Sequence, residues 1–349
     1  MALYSVGIPT FNRLAFLKQS LASALAQQVD DLEVLISDNA STDGTEEWCR
    51  SLSDPRIKYI RSPENRGPAW NFANCLCNST GVYFSWLQDD DIIFSDFAPR
   101  AVASMDCNNA DGYLATAIYG ESPSFIHWDS LYSPPVPLDW QNNTVTIADP
   151  VMICLLSLFV SVAIPPVISF RREFLNCHND AYTNSNFPLF SERFGLAQCS
   201  ISGKLIIAPH IAGLFRNHAD QYHKTLQGCA KTSESEWVSF ARSLDRLATT
   251  HSLDLSSFQN ILEKIPLVVL KKWFSVSNAR EKQTSFEQTV HENLESEIMG
   301  RSGTVAEAML PIFKGKSSVM RETLRLLCPP ILPAIVRLAV STIGQLKRT

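Results

Sequence analysis

Three adjacent carboxylates, Asp89, Asp90 and Asp91, follow the short apolar run 82–87. Neighbouring carboxylates repel one another, so the cluster is stable only where a cation or hydrogen-bond donors neutralise it. A divalent ion held by one or two carboxylates together with a ligand's phosphates would do so. A solvated acidic turn or a helix cap would also accommodate the run. Two further polar segments have the same setting. Pro9-Thr10-Phe11-Asn12-Arg13 closes the apolar stretch 3–8, and Asp38-Asn39-Ala40-Ser41-Thr42-Asp43 closes 32–37. Any one of them could be an ordinary turn, but three in the same position form a pattern.

The elements that must position these residues are legible nearby. Apolar runs at 3–8, 32–37, 57–61 and 82–87 read as strands. Leu14, Leu17, Leu21, Ala24 and Leu25 recur at helical spacing, with Asn12 as the expected cap. Further helices are expected over 45–52 and, with Pro68 in its first turn, 68–78. This alternation predicts a mostly parallel sheet flanked by helices. In an open parallel sheet the carboxyl ends of the strands share one edge, where ligands bind. The three polar segments are therefore expected to converge on one acidic, Asn-rich cleft.

Beyond them, 106–150 reads as irregular, with prolines at 123, 134, 135 and 137. The uncharged stretch 150–170 is long enough to cross a bilayer. Pro165-Pro166 interrupts it, so a buried helix followed by a strand at 167–171 is expected. Residues 230–310 are polar and helix-like.

Of the 349 residues 45% are hydrophobic and 19% charged, the latter below the ~25% usual for a soluble domain. The net charge of −5 argues against a general nucleic-acid partner. It also hides a split. Residues 314–349 hold seven basic side chains and one acidic, a +6 tail that leaves −11 on the rest. Such a tail suits peripheral contact with an anionic membrane, or alternatively an oligomer interface or a helix packed on the body. Pro329, Pro330 and Pro333 argue against a membrane span there. The nine cysteines are scattered, and Cys75 and Cys77 are too closely spaced for a zinc pair, so a reducing cytoplasm is expected. The opening residues lack a basic leader, and no signal peptide is expected.

Taken together, the segments resemble family 2 glycosyltransferases of the GT-A fold. Ser5-Val6-Gly7-Ile8-Pro9-Thr10-Phe11-Asn12-Arg13 is similar to the opening strand of that family, and Ser37-Asp38-Asn39-Ala40-Ser41-Thr42-Asp43-Gly44-Thr45 to its second motif. Asn65-Arg66-Gly67-Pro68-Ala69-Trp70-Asn71 resembles its asparagine–glycine segment, and Leu87-Gln88-Asp89-Asp90-Asp91 stands where its metal-binding DXD motif belongs. The resemblance implies an α/β GT-A architecture, a Rossmann-like sheet flanked by helices. The catalytic domain would cover 1–225, divided into a nucleotide-binding half (1–105) and an acceptor-binding half (106–225). A helical C-terminal extension would follow over 226–349.

It also implies an activity: inverting transfer of a sugar from a nucleotide-diphosphate sugar to a hydroxyl of a glycan or lipid-linked saccharide, as in surface polysaccharide synthesis, with Mg²⁺ or Mn²⁺. Carried over residue by residue, Pro9, Asn12 and Arg13 would line the base pocket, with Asn65 also on the nucleotide side. Asp38 would accept a hydrogen bond from the base, and Asp89 would hold the ribose. Asp90 would coordinate the metal, with Asp91 and His218 as further ligand candidates. Gln88 departs from the pattern, standing where many members have the first acid. In Phe190-Ser191-Glu192-Arg193, Glu192 would act as general base in place of the more usual Asp. In Arg216-Asn217-His218, 26 residues from Glu192 to His218, Arg216 would face phosphate. From the residues alone, Glu192 could equally pair with Arg193 on the surface, and His218 could be a polar loop residue. Two other functions share this architecture. A nucleotidyltransferase would carry a glycine-rich basic loop after the first strand, which 9–13 does not. A silent nucleotide-sugar-binding module would have Glu192 and His218 out of place.

Overall fold

The computed structural model describes residues 2–122, 125–132, 144–157, 165–178, 191–216, 218, 239–240, 243–244 and 246–253. The expected alternation is present from the start: β1 (Tyr4–Thr10), α1 (Leu14–Leu25), β2 (Leu32–Asp38), α2 (Thr45–Arg50), β3 (Ile57–Arg61), α3 (Pro68–Asn78) and β4 (Tyr83–Trp86). There follow β5 (Ile92–Ile93), α4 (Phe97–Asn108), β6 (Gly112–Ser122), β7 (Phe125–Tyr132), β8 (Thr146–Ile147), α5 (Pro150–Ser157), β9 (Ile168–Arg171), α6 (Arg172–Asn176), α7 (Ser191–Ser202) and β10 (Leu205–Arg216). A single sheet runs in the order β3-β2-β1-β4-β9-β6-β10-β5, with β7 paired to β6 and β8 to β10.

The sheet has two halves of different character. β3, β2, β1 and β4 are parallel throughout. β9 is antiparallel to both β4 and β6, and β10 is parallel to β6. Two reversals restore the original direction, so β6 and β10 point the same way as β4. The carboxyl ends of β1, β2, β3, β4 and β10 therefore open onto one edge.

Side chains alternate across the sheet into two apolar layers, as the pleat requires. Leu35, Phe84, Trp86 and Leu114 face one layer with Cys75 and Leu76 of α3 and Met152 and Ile153 of α5. Val34, Ile36, Tyr83, Tyr113 and Ala115 face the other with Leu17 and Leu21 of α1 and Phe97 and Ala101 of α4. Gly7 sits where α3 crosses β1. A Cβ there would lie 2.7 Å from the Cys75 Cβ and 2.9 Å from the Phe84 ring, so only glycine permits this close approach.

Two expectations are corrected here. The prolines at 123, 134, 135 and 137 lie outside the described residues, but the described part of 106–150 is not irregular, because β6 is one of the longer strands of the sheet. Its residues 112–118 are all buried. A strand covered on both faces shows no alternation, and its glycine and alanines weaken the strand signal. The second correction concerns the start of α1. Its cap position is Arg13, not Asn12, and the Leu14 N–H is satisfied by Asp43 Oδ2 at 2.9 Å. An acceptor from a neighbouring loop serves the orphan donor as well as a local cap would. The expected helix and strand around Pro165-Pro166 are present as α5 and β9. No helix among the described residues is long and apolar enough to cross a membrane. The basic tail at 314–349 and most of 230–310 lie outside the described residues.

Candidate active site

At the shared edge, the loops after β1, β2 and β3 are tied to one another. Asn12 adopts a left-handed backbone (φ 53°), and its Oδ1 accepts the Thr42 N–H at 2.7 Å. Its own N–H donates to Ser41 Oγ at 2.9 Å. Asn39 Nδ2 donates to Asn65 Oδ1 at 2.8 Å and to the Gly67 carbonyl at 3.1 Å, while Arg66 N–H donates to Asn39 Oδ1 at 2.9 Å. The same Asn65 oxygen accepts the Gly67 N–H at 2.9 Å. Beneath these loops, buried Asn71 of α3 donates to the Thr10 carbonyl at 3.1 Å and accepts from Ser37 Oγ at 2.5 Å. Asn71 had no role in the sequence reading beyond its place in the asparagine–glycine segment. A buried Asn three residues past the helix start gives no signal of a bond to another strand.

Asp38 lies beside Thr10 in the register of β1 and β2, and beside Arg61 in that of β3. It is 0% exposed. Its Oδ1 accepts the Ser41 N–H at 2.8 Å, and its Oδ2 accepts the Tyr59 hydroxyl at 2.6 Å with Arg61 Nε 3.5 Å away. The carboxylate therefore braces the loop that follows it. Pro9 is buried one position back from the edge, opposite Ser37.

The three aspartates point in different directions. Asp89 Oδ2 accepts the Thr10 hydroxyl at 2.7 Å, and Arg13 Nη1 lies 3.3 Å from Asp89 Oδ1. The same Arg13 nitrogen donates to Asp90 Oδ2 at 2.7 Å, an oxygen that His218 Nε2 approaches at 3.0 Å. Asp91 turns inward. It is 0% exposed, and its Oδ1 accepts the Arg216 backbone N–H at 2.9 Å. The structure thus brings Arg13, Asp89, Asp90 and His218 together from three strand ends and separates Asp91 from them.

Two helix residues set this arrangement from behind. Ser20 Oγ of α1 lies 2.8 Å from the Asp89 carbonyl and 2.6 Å from that of Asp91, holding the turn from inside. Phe16, one turn earlier, packs against the His218 ring at 4.5 Å between centroids. Phe16 also meets Arg216, whose guanidinium carbon is 4.9 Å from the ring centre.

The expectation that Arg216 faces phosphate is corrected by the same contacts. Arg216 is 1% exposed and is bonded to Gln19 Oε1 at 3.1 Å, with its charge near Asp91 and then Asp90. A strand-end residue alternates with its neighbours, and here Arg216 takes the inward position.

The electrostatics show a site short of positive charge. Burial first, and the charge of Asp90 second, push the Asp89 carboxyl well above the ordinary carboxylate range, against the pull of Arg13 and Thr10. The same two causes raise Asp91, opposed by the Arg216 backbone N–H and then by its charge. Asp91 Oδ2 is buried with no hydrogen-bond partner. Such a cluster favours a further cation.

Among the described residues no three His, Cys, Asp or Glu side chains form a ready-made metal cage. The donor chemistry nevertheless fits an ion that takes few protein ligands and completes its shell with phosphate and water. Asp90 Oδ2 and His218 Nε2, which share a hydrogen bond here, would share that ion, with the imidazole proton then on Nδ1.

Glu192 enters from a separate element, half-buried in the first turn of α7. Only residues 203 and 204 join α7 to β10. Lys204 N–H is bonded to Asp111 Oδ2 at 2.8 Å, just ahead of β6, which marks the opposite edge.

A parallel half-sheet, a reversed strand and an acidic turn answered by a distant histidine define a GT-A-type α/β protein. Residues 5–162 match the model of the family described as Glycosyl transferase family 2. The chain is 37% identical over 94 residues to the GalNAc(5)-diNAcBac-PP-undecaprenol beta-1,3-glucosyltransferase of Campylobacter jejuni, a match covering 26% of this chain and 30% of the relative. It is 38% identical over 118 residues to the abequosyltransferase RfbV of Salmonella typhimurium, covering 32% and 35%. Each match thus spans about a third of the relative's length. In fold it is similar to residues 1–349 of S. aureus TarS, solved with UDP-GlcNAc, with a TM-score of 0.55 at 15% identity over 97% of this chain and 88% of that one.

Proposed function

We propose that this glycosyltransferase transfers a sugar, with inversion, from a nucleotide-diphosphate sugar to a hydroxyl of a lipid-linked saccharide. The observation that carries the reading is the convergence of Arg13, Asp89, Asp90 and His218 on one strand edge of a family 2 domain. On the donor side, Pro9, Asn12, Asn65 and the loop braced by Asp38 form the wall for the base, and Asp89 holds the ribose. Asp90 and His218 hold a divalent cation, Mg²⁺ or Mn²⁺, against the diphosphate. When bound, that cation supplies Lewis-acid stabilisation of the leaving diphosphate. Arg13 adds a guanidinium beside the same phosphates, where developing charge is worth most to neutralise.

On the acceptor side, Glu192 takes the proton of the attacking hydroxyl. Its oxygen forms the new bond at the anomeric carbon as the bond to the diphosphate breaks, and displacement from the opposite face inverts that centre. The lipid-linked acceptor is supported by one relative whose name specifies a PP-undecaprenol-linked saccharide. A +6 tail at 314–349 is suited to hold the protein at the anionic leaflet where such acceptors reside.

The test is incubation with Mn²⁺ and a panel of labelled nucleotide sugars, with and without membrane lipid extract, followed by NMR of the product anomer. Transfer with inversion by the wild type, abolished in Asp90→Asn, is the expected result. Retention of configuration, or nucleotide-sugar binding with neither hydrolysis nor transfer, would overturn it, the latter in favour of a silent binding module.

A further inference from the structure

We propose that in the nucleotide-free protein the Arg13 guanidinium stands in for the divalent cation on Asp90, so that the cation enters with the nucleotide's diphosphate and not before it. The inference rests on the glycosyltransferase reading and adds an order of binding to it. Arg13 Nη1 lies 2.7 Å from Asp90 Oδ2 and 3.3 Å from Asp89 Oδ1, bridging the two carboxylates as a metal would. The Asp90 oxygen it takes is also the one facing His218 Nε2, at 3.0 Å. A Mg²⁺-sized ion bonds carboxylate oxygen at ~2.0–2.1 Å. Such an ion cannot reach that oxygen on its cleft side while a like-charged guanidinium sits there.

The residue is built to move. Its backbone is fixed as the cap of α1, where its carbonyl accepts the N–H groups of Phe16 at 3.0 Å and Leu17 at 2.9 Å. Its side chain, by contrast, is 22% exposed against 6% and 10% for the carboxylates it touches. The guanidinium can therefore turn on its stem while the helix start stays in place. What would draw it off is a second anion, and a diphosphate presents paired oxygens that match the guanidinium fork. The exchange never leaves the aspartates without a cation. Arg13 offsets part of their charge when the site is empty, and the metal ion does so once Arg13 has moved to phosphate.

The experiment follows free Mn²⁺ by electron paramagnetic resonance during titration of the full chain, alone and with UDP, GDP, CDP or dTDP. Wild-type protein is expected to bind Mn²⁺ weakly alone and at least about tenfold more tightly with one of the diphosphates. Arg13→Gln is expected to bind Mn²⁺ alone about tenfold more tightly than wild type, the effect of removing one cation beside the ligand, and to lose most of the diphosphate enhancement. Arg13→Lys, which keeps the charge, should stay closer to wild type. Arg13→Met serves as a second neutral variant if Gln perturbs folding, which circular dichroism would report. Wild-type Mn²⁺ affinity that is as high without diphosphate as with it overturns the proposal with no variant needed. A neutral variant that gains nothing, while the wild type still takes up Mn²⁺ with a diphosphate, overturns the role of Arg13 alone. Absence of Mn²⁺ uptake in every protein and condition overturns both this proposal and the metal-dependent reading beneath it.

Discussion

The parallel half of the sheet and the mixed half reach the same cleft by different means. On the parallel side, three loops are locked to each other through side chain–backbone bonds: Asn12 to Thr42, Asp43 to Leu14, Asn39 to Arg66 and Gly67, and Asn71 to Thr10. On the mixed side, the described bonds to the acidic turn come from the end of one strand, through the Arg216 N–H and His218 Nε2. The first arrangement is rigid without a ligand, which suits a donor whose nucleotide part does not vary for one enzyme. The second leaves its wall free to differ, which suits an acceptor. If the division holds, damage to the two halves should read out differently.

The largest expected effect separates them by kinetics. Glu192→Gln on the mixed side should lower turnover by about 10²–10⁴-fold, the usual contribution of a positioned base. Donor affinity, measured by calorimetry with the non-hydrolysed diphosphate product, should be unchanged. A variant that loses donor affinity in proportion to turnover would place Glu192 on the nucleotide side and break the comparison.

A smaller effect concerns stability on the parallel side. Asn71→Ala removes both the donor to the Thr10 carbonyl and the acceptor of the Ser37 hydroxyl, in a position 3% exposed. The Thr10 carbonyl keeps the Asn39 N–H at 3.0 Å, but leaving the Ser37 hydroxyl without its acceptor costs about 1–3 kcal/mol, to be measured by urea unfolding. Because Asn71 joins α3 to β1 and β2 and touches no proposed ligand, donor affinity should fall only as the loop above it loosens. An Asn71→Ala protein as stable as wild type would show that the lock is not held from beneath.

The contrast also explains what could be read in advance. The parallel half was legible because each strand is an apolar run ended by a recognisable polar turn, and β3 and α3 lie at the expected positions. The polar cleft followed from topology, since parallel strand ends must share an edge. The second half resisted for physical reasons. β6 is buried on both faces and rich in small residues, so it lacks the two-residue period. β9, only four residues long, runs backward between two strands that are distant in sequence. The inward turn of Asp91 and Arg216 depends on which face each strand end presents, and adjacent identical aspartates carry no mark of which one turns in. His218 could be placed near the turn only through the family resemblance, because its partner Asp90 lies 128 residues away.

The smallest effect concerns acid sensitivity, which the comparison assigns to the mixed half. The first 105 residues contain no histidine. In β10, by contrast, buried His210 sits at a break in the register with β6. Its Nδ1 lies 2.9 Å from the Tyr113 hydroxyl and its Nε2 3.3 Å from Asp96 Oδ1, which is also held by Arg100 through its other oxygen at 2.8 Å. Burial lowers the His210 pKa, outweighing the pull of Asp96, and Arg100 adds to the lowering. Below about pH 6.5 the unfolded chain therefore takes up a proton that the folded chain resists, so stability falls as pH drops. The raised carboxyl of Asp89 acts in the opposite sense, since folding then favours its protonated form, but it is common to wild type and variant. Asp96, whose own pKa is lowered, contributes only in a more acidic range. Urea unfolding at pH 7.5 and 5.5 should show wild type losing more stability than His210→Gln, by less than about 1.4 kcal/mol per pH unit for one site. Hydrogen exchange at pH 5.5 should quicken first in β10 and β6 and last in β1 and β2. Equal slopes in the two proteins, or earlier exchange in the parallel half, would mean that His210 is not the group through which acid acts.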